Sequence, residues 1–434
     1  MPSHSRGLCA ALALALLIAI SDSPRAFAAD EPAGAGEGSC PFAHSGGELP
    51  GWHSRPMPDD YSGGLKEFSV VYTDRALNHM STPFIKVMQD LNALLKDVYG
   101  AAATVILPGS GTFGMEAVAR QFARGKKVLV VRNGYFSYRW TDIFDQTDIP
   151  AEVVVLKASL ESAATDPTRP QVKPQPVEDI VAAIRREKPA VVFAPHVETS
   201  TGVMFPDVEL AAISAAAHEV GALFVLDCVA SGTAWVDMNA TGVDVVISAP
   251  QKGWSGHACA GIVMLSERAE NVARRESTSD SMVLNLRKWL EVMDTYLAGG
   301  FSYYTTMPTD CLRLFRDAAF ETRDYGFDKV KRDFFTMGAG VRDMMEAQGL
   351  TIVAAEGYRA PGVVVVYVGD KAAAARFKKV GFQIAAGVPY MLDTQPEMGT
   401  FRIGLFGLDK VKDAAGTIAI LKGAMEKALE GVER

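Results

Sequence analysis

The chain has 434 residues, 48% hydrophobic, 9% aromatic and 22% charged, with five cysteines. This composition excludes a disordered, collagenous or disulfide-stapled protein and predicts two or three structural units around a large core. Lys and Arg number 43 against 51 Asp and Glu, a net charge of -8, which argues against nucleic acid or a polybasic membrane surface as partner and favours an acidic soluble enzyme.

His4 and Arg6 precede an apolar run from Leu8 to Ile20, and Ala26-Phe27-Ala28 supplies the small residues that a signal peptidase reads. Residues 1–28 are therefore expected to be a signal peptide, cleaved after Ala28, and the protein to be exported, periplasmic or secreted. The apolar run is too short for an ordinary transmembrane helix, so no membrane association is expected after cleavage. Residues 29–67, rich in Gly, Pro, Ser and His, read as an extended arm without a core of its own. Cys40, Cys228, Cys259 and Cys311 lack C-x-x-C spacing, which weighs against a zinc ribbon or redox pair, and no essential disulfide is expected.

Thr82-Pro83 starts a helix in which Phe84, Val87, Met88, Leu91, Leu94 and Leu95 recur at helical spacing until Gly100 stops it. A long alternation follows: strand Thr104 to Leu107, helix Gly114 to Ala123, strand Lys127 to Val131, helix Phe136 to Phe144 and strand Glu152 to Leu156. Helix Val177 to Glu187, strand Ala190 to Ala194, helix Asp207 to Val220 and strand Ala222 to Asp227 continue it. Short apolar strands between amphipathic helices predict a mostly parallel sheet covered on both faces, an α/β fold. Val243 to Ser248 and Cys259 to Leu265 are two further strands, for which an antiparallel edge is one arrangement. Beyond Glu321 the pattern changes to a charged helix from Asp328 to Gln348, strands at Val363 to Val368, Gln383 to Ala386 and Phe401 to Leu405, a short helix at Lys371 to Lys379 and a last helix from Asp409 to Glu430. The expected organisation is a large domain over 68–321 and a smaller C-terminal α+β domain over 322–434, with a site at their junction.

Gly109-Ser110-Gly111-Thr112-Phe113-Gly114 follows a strand and opens a helix, where glycines let a phosphate approach free N–H groups. It matches G-x-G-x-x-G, and with Arg132 near the end of the next strand a nicotinamide coenzyme, another phosphorylated cofactor and a plain tight turn all stay open. A second segment narrows the choice. Asp227 ends one strand and Lys252 lies just past another, so both belong to the sheet edge where ligands bind in open α/β folds. Pyridoxal 5'-phosphate needs such a pair: a lysine to form the Schiff base, and a carboxylate to keep the pyridine nitrogen protonated so that the ring acts as an electron sink.

These residues, with Asn133-Gly134-Tyr135-Phe136, His196-Val197-Glu198-Thr199-Ser200-Thr201-Gly202-Val203, Gln251-Lys252 and Phe401-Arg402-Ile403-Gly404-Leu405, resemble the class V aminotransferases of the fold-type I pyridoxal-phosphate enzymes. The pattern is most similar to alanine:glyoxylate and serine:pyruvate aminotransferases, and it covers the chain from about Phe68 onward. The resemblance implies that Lys252 holds the cofactor and then moves the substrate proton, with Asp227 on the pyridine nitrogen. It also implies phosphate contacts from Ser110, Gly111, Thr112 and Gln251, and ring stacking by Phe136, with Tyr135 or Tyr138 as substitutes. Ser200 is implied beside the phenolic oxygen, with Thr199 as the alternative, and Arg402 as the grip on the substrate α-carboxylate. The block Ser302 to Pro308 resembles one in which a tyrosine and a threonine reach the neighbouring subunit's cofactor, so Tyr303 and Thr306 imply a homodimer with shared sites.

The implied activity moves an amino group from a small amino acid, alanine or serine, to a 2-oxo acid, glyoxylate or pyruvate. An exported enzyme that tailors a secreted metabolite such as a siderophore is the first alternative, and an NADP-dependent oxidoreductase resting on the glycine loop and Arg132 the second. The family's Gly-Pro-Gly-Pro opening is replaced by Ala76 to Ser81, where His79 either touches substrate or belongs to the core. His196, His218 and His257 have no metal-ligand spacing. No cysteine follows Cys311, which argues against a desulfurase.

Overall fold

Seven strands form the central sheet: β1 (Ala103–Pro108), β2 (Lys127–Arg132), β3 (Glu152–Lys157), β4 (Val191–Pro195), β5 (Leu223–Asp227), β6 (Val245–Ser248) and β7 (Ala260–Leu265). Their spatial order in the computed structural model is β1-β7-β6-β5-β4-β2-β3. The structure describes residues 65–163 and 166–432; the expected signal peptide, Cys40 and nearly all of the expected arm lie outside the described residues. The described residues belong to one compact unit.

From β6 through β5, β4 and β2 to β3 every pairing is parallel, whereas β7 runs antiparallel to both β6 and β1. The antiparallel strand is thus internal, not the edge that two close-spaced strands suggested, because β1 adds outside it. Two reversals leave β1 pointing the same way as β6. The residues that follow β1, β2, β4, β5 and β6 therefore share one sheet edge, the usual binding edge of open α/β folds. Strands β4 and β5 are buried at every position, and each fully buried aliphatic side chain stabilises the fold by ~1.5–3 kcal/mol.

The first helix, Thr82–Tyr99, starts where the cap and proline signals place it: Ser81 accepts a hydrogen bond from the Phe84 amide, and Gly100 closes the helix in the left-handed region at φ 65°. Two long helices escape the periodicity reading, Leu286–Leu297 and Thr309–Tyr325, as do the short ones at Met238–Thr241 and Glu267–Asn271. The second long helix spans the predicted domain boundary at 321/322, and Gly326 separates it from helix Phe327–Ala347. The last predicted helix is two helices, Leu408–Lys412 and Ala414–Ala428, because Asp413 leaves the helical conformation to cap the second.

A second sheet contains β8 (Val363–Val368), β9 (Ala385–Ala386) and β10 (Gly399–Gly404), antiparallel in the order β8-β10-β9. Arg402 on β10 faces Val365 and Ala385 in register. A hairpin of Ser159–Ala163 with Asp166–Lys173 was not anticipated. Its two prolines read as a loop, but Val172 exchanges backbone hydrogen bonds with Val353 and Ala355 (2.8 and 3.0 Å), which fix the hairpin against the segment beside the second sheet. No helix among the described residues is long and apolar enough to cross a membrane.

Candidate active site

The glycine loop leaves β1 and opens helix Gly111–Phe122. Ser110 is its N-cap in extended conformation, its side chain makes no capping bond, and the first turn carries no acid. This end keeps its N–H groups and positive dipole uncompensated, which favours an anion. Gly111 lies where close approach forbids a side chain, since a Cβ there would sit 2.6 Å from Val229 Cγ2. Thr112 Oγ1 accepts a 3.0 Å hydrogen bond from Arg139 Nη1. Gln251 is exposed next to Lys252.

Asp227, the last residue of β5, is buried, and burial pushes its carboxyl up to about 6. The amide of Val229 donates to Oδ1 at 2.9 Å, and the other oxygen accepts no hydrogen bond from the described residues. Beneath it, the main-chain oxygen of Asp227 accepts from the His196 amide, and His196 Nδ1 is 2.7 Å from Ser231 Oγ. Burial pulls the His196 imidazole down to about 3, so it is neutral and structural. Lys252 is pulled below the usual lysine range by burial and by the Arg402 charge, against the opposing pull of Asp227. A lowered ammonium pKa makes more free amine available, as a nucleophile requires. Its Nζ lies 4.9 Å from the centre of the Phe406 ring.

Phe136 lies in the first turn of helix Tyr135–Thr147, after β2. The guanidinium carbons of Arg139 and Arg402 stand 5.3 and 5.6 Å from its ring centre. Arg402 Nε donates to the Ala386 oxygen at 2.9 Å, and burial lowers the guanidinium pKa against the opposing charge of Glu198. The long-range fold thus brings Asp227, Lys252, Phe136 and Arg402 together from four separate segments.

Ser200 differs from its expected placing. It is wholly buried, donates to Glu198 Oε1 at 2.7 Å and accepts from the Tyr135 amide at 2.9 Å. Thr199 is half-buried and makes no hydrogen bond among the described residues, so of the pair it is the free hydroxyl. Arg132 is a correction of another kind. It is buried, donates to Thr141 Oγ1 (2.7 Å) and the Met391 oxygen (3.4 Å), and stacks on Tyr138. Its Nη1 and Nη2 are engaged within the chain, and Nε, though without a partner among the described residues, is buried.

Tyr303 is exposed and its hydroxyl lies 3.0 Å from Thr306 Oγ1. Among the described residues neither makes a hydrogen bond with Lys252. His79 is buried in an aromatic cage of Tyr72, Phe301 and Tyr303, with ring centroids 5.4–5.8 Å away. Among the described residues no group of three His, Cys, Asp or Glu could hold a metal, and Cys228, Cys259 and Cys311 are free thiols. Sequence reasoning passed over Glu198, Arg139, Val229 and Phe406. For Glu198 one signal was present: a helix whose cap position is glycine must find its cap elsewhere.

An open α/β sheet with a lysine, a strand-end carboxylate and a free helix N-terminus at its carboxyl edge defines a phosphorylated-cofactor enzyme of the aminotransferase type. The chain belongs to the class-V aminotransferase family, whose model matches residues 65–287. It is 28% identical over 353 residues, 77% of this chain and 87% of the relative, to alanine-glyoxylate aminotransferase 1 of Saccharomyces cerevisiae. It is 29% identical to serine-glyoxylate aminotransferase of Methylorubrum extorquens, over 63% of this chain and 66% of that protein. Its fold matches the crystal structure of an alanine-glyoxylate aminotransferase from Nostoc sp. with a TM-score of 0.67 at 23% identity, covering 81% of this chain and 88% of the other. The protein is a pyridoxal-phosphate-dependent aminotransferase, which transfers an amino group between an amino acid and a keto acid. The nicotinamide reading is thereby overturned.

The residues present fit this cofactor. Asp227 has a carboxylate oxygen to spare, Gly111 leaves a cradle beside Val229 that a Cβ would fill, and the adjacent helix end is free for a phosphate.

Proposed function

We propose that this aminotransferase moves the amino group of a small amino acid, alanine or serine, to glyoxylate or pyruvate, with Lys252 as the attachment point of the cofactor. The observation that carries the reading is that Lys252, at the edge of the central sheet, feels the charges of both Asp227 at the end of β5 and Arg402 on β10 of the second sheet. The named specificities of the two relatives above support the choice of substrates.

When bound, pyridoxal phosphate supplies an aldehyde to take up the amino group and a ring that withdraws electrons from the substrate Cα. The protein's residues do the rest. Asp227 would keep the ring nitrogen protonated, and Lys252 Nζ would take the proton from the substrate Cα and deliver it to C4′ of the cofactor. Ser110, Gly111, Thr112 and Gln251 would hold the phosphate, Phe136 and Val229 would hold the ring, and Thr199 would supply a hydroxyl to its phenolic oxygen. Arg402 binds the substrate carboxylate with two parallel N–H donors, a geometry lysine cannot supply.

The working form proposed is a homodimer in which Tyr303 and Thr306 of one subunit complete the site of the other. Their exposure, beside exposed Phe301 and Met282, supports it. The division into a large domain over 68–321 and a small domain over 322–434 is likewise a proposal. Export is proposed from residues 1–28, and is checked by N-terminal sequencing of the protein from the periplasm, which should begin at Ala29.

The absorption spectrum of the protein with pyridoxal phosphate, beside Lys252→Ala, tests the assignment. A visible band that needs Lys252, is bleached by alanine or serine and is restored by glyoxylate or pyruvate is the expected result. A band that no small amino acid bleaches would defeat the substrate assignment and favour the tailoring of a secreted metabolite. Mixing Lys252→Ala with Tyr303→Ala protein tests the shared site, since hybrid dimers should regain activity that neither parent has.

A further inference from the structure

Helix Tyr135–Thr147 begins at Gly134, which has no side chain with which to cap it, and its first turn carries no acid. The anion that fills this end comes from Glu198, 62 residues away. Glu198 Oε1 accepts from the Phe136 amide (3.1 Å), the Ser200 amide (3.0 Å) and Ser200 Oγ (2.7 Å). Its Oε2 accepts from the Ser137 amide (2.9 Å) and Ser137 Oγ (2.6 Å). The side chain is wholly buried, and no Lys or Arg of the described residues makes an ion pair with it. A buried carboxylate without a cation in contact persists only if hydrogen bonds and a dipole replace its water; here five donors and a helix N-terminus do so, and the Arg402 charge adds a longer-range attraction.

Two consequences follow for the site. The Phe136 amide is bound directly, so the carboxylate sets where the Phe136 ring stands relative to Arg402. The approach is also close enough that a Cβ on Gly134 would lie 2.0 Å from Ser200 Oγ and 2.8 Å from Glu198 Cδ; the glycine is needed for proximity, since its backbone is extended.

We propose that Glu198 is a positioning residue for cofactor binding. As the internal anion of helix Tyr135–Thr147 it sets Phe136 as the stacking surface and leaves the end of helix Gly111–Phe122 as the one that takes the phosphate. The proposal rests on the reading of the site given above.

The test titrates pyridoxal phosphate into wild type, Glu198→Gln, Phe136→Ala and the double variant, following absorbance and the circular dichroism induced in the bound cofactor. Thermal unfolding of the cofactor-free proteins runs alongside. Glu198→Gln should weaken binding about tenfold and diminish the induced signal, and the double variant should fall within about twofold of Phe136→Ala, because both changes act through one ring. A folded Glu198→Gln protein with wild-type affinity and signal, or a fully additive double variant, would overturn the proposal. If Glu198→Gln does not fold, Ser200→Ala keeps the carboxylate and removes one donor; it should weaken binding about threefold with loss of the same signal, and an unchanged signal would overturn the proposal. A wild-type protein that takes up no pyridoxal phosphate would instead sink the site reading and this proposal with it.

Discussion

Two helices point their N-termini into the same site and are treated in opposite ways. Helix Tyr135–Thr147 is closed by Glu198, whose carboxylate consumes the first-turn amides of Phe136 and Ser137. Helix Gly111–Phe122 has no side-chain cap and no acid in its first turn. The two carboxylates repeat the contrast: Glu198 accepts five hydrogen bonds, whereas Asp227 accepts one through its side chain. Groups satisfied within the chain hold the architecture, and groups left unsatisfied mark where the ligand goes.

The largest effect should come from removing the group that ties ligand to protein at the open end. Lys252→Ala should lower transamination by at least about 10³-fold and abolish the visible band, measured by single-turnover spectroscopy. If activity survives, the open end is not where the cofactor reacts.

Asp227→Asn tests the unsatisfied carboxylate. A folded pKa of about 6 lies above the ordinary aspartate value of 3.8, so folding takes up a proton between these values and the cofactor-free protein loses stability as pH rises through that window. At pH above 6 the full cost is present, about 3 kcal/mol. Cofactor-free Asp227→Asn should therefore be more stable than wild type at neutral pH, with the difference vanishing below about pH 4, as urea unfolding at several pH values would show. Cofactor affinity of the wild type should fall as pH drops below about 6, because the paired aspartate must be ionised.

At the closed end, Gly134→Ala should destabilise by about 2 kcal/mol, since the new methyl meets Ser200 Oγ at 2.0 Å. A thermal midpoint equal to wild type would show that the carboxylate cluster yields easily. The smallest and most discriminating change is Ser110→Asp, which closes the open end artificially. It should stabilise the cofactor-free protein by about 0.5 kcal/mol while weakening pyridoxal phosphate binding about tenfold. Opposite signs in calorimetry and binding would sharpen the contrast, and a gain in both would break it.

Much of this was legible in the chain. Helix Thr82–Tyr99 carries its own start, stripe and stop, and the strand ends that bear Asp227 and precede Lys252 are apolar runs closed by polar residues, so local signals suffice. Hairpin Ser159–Lys173 was not legible, because its prolines speak for a loop and its bonds to Val353 and Ala355 join residues far apart in sequence. The position of β7 inside the sheet has the same cause, since pairing order is a property of long-range contacts.

The site divides along this line. The chemistry of Lys252, Asp227 and Arg402 is visible as residue types at strand ends, because a reaction demands particular functional groups whatever surrounds them. Which hydroxyl of Thr199 and Ser200 is free, that Arg132 is spent on Thr141, and that Glu198 closes one helix while another stays open were decided by the tertiary structure alone. Hydrogen-bond satisfaction depends on which groups meet after folding, and a carboxylate 62 residues from the amide it binds leaves no periodicity by which to be found.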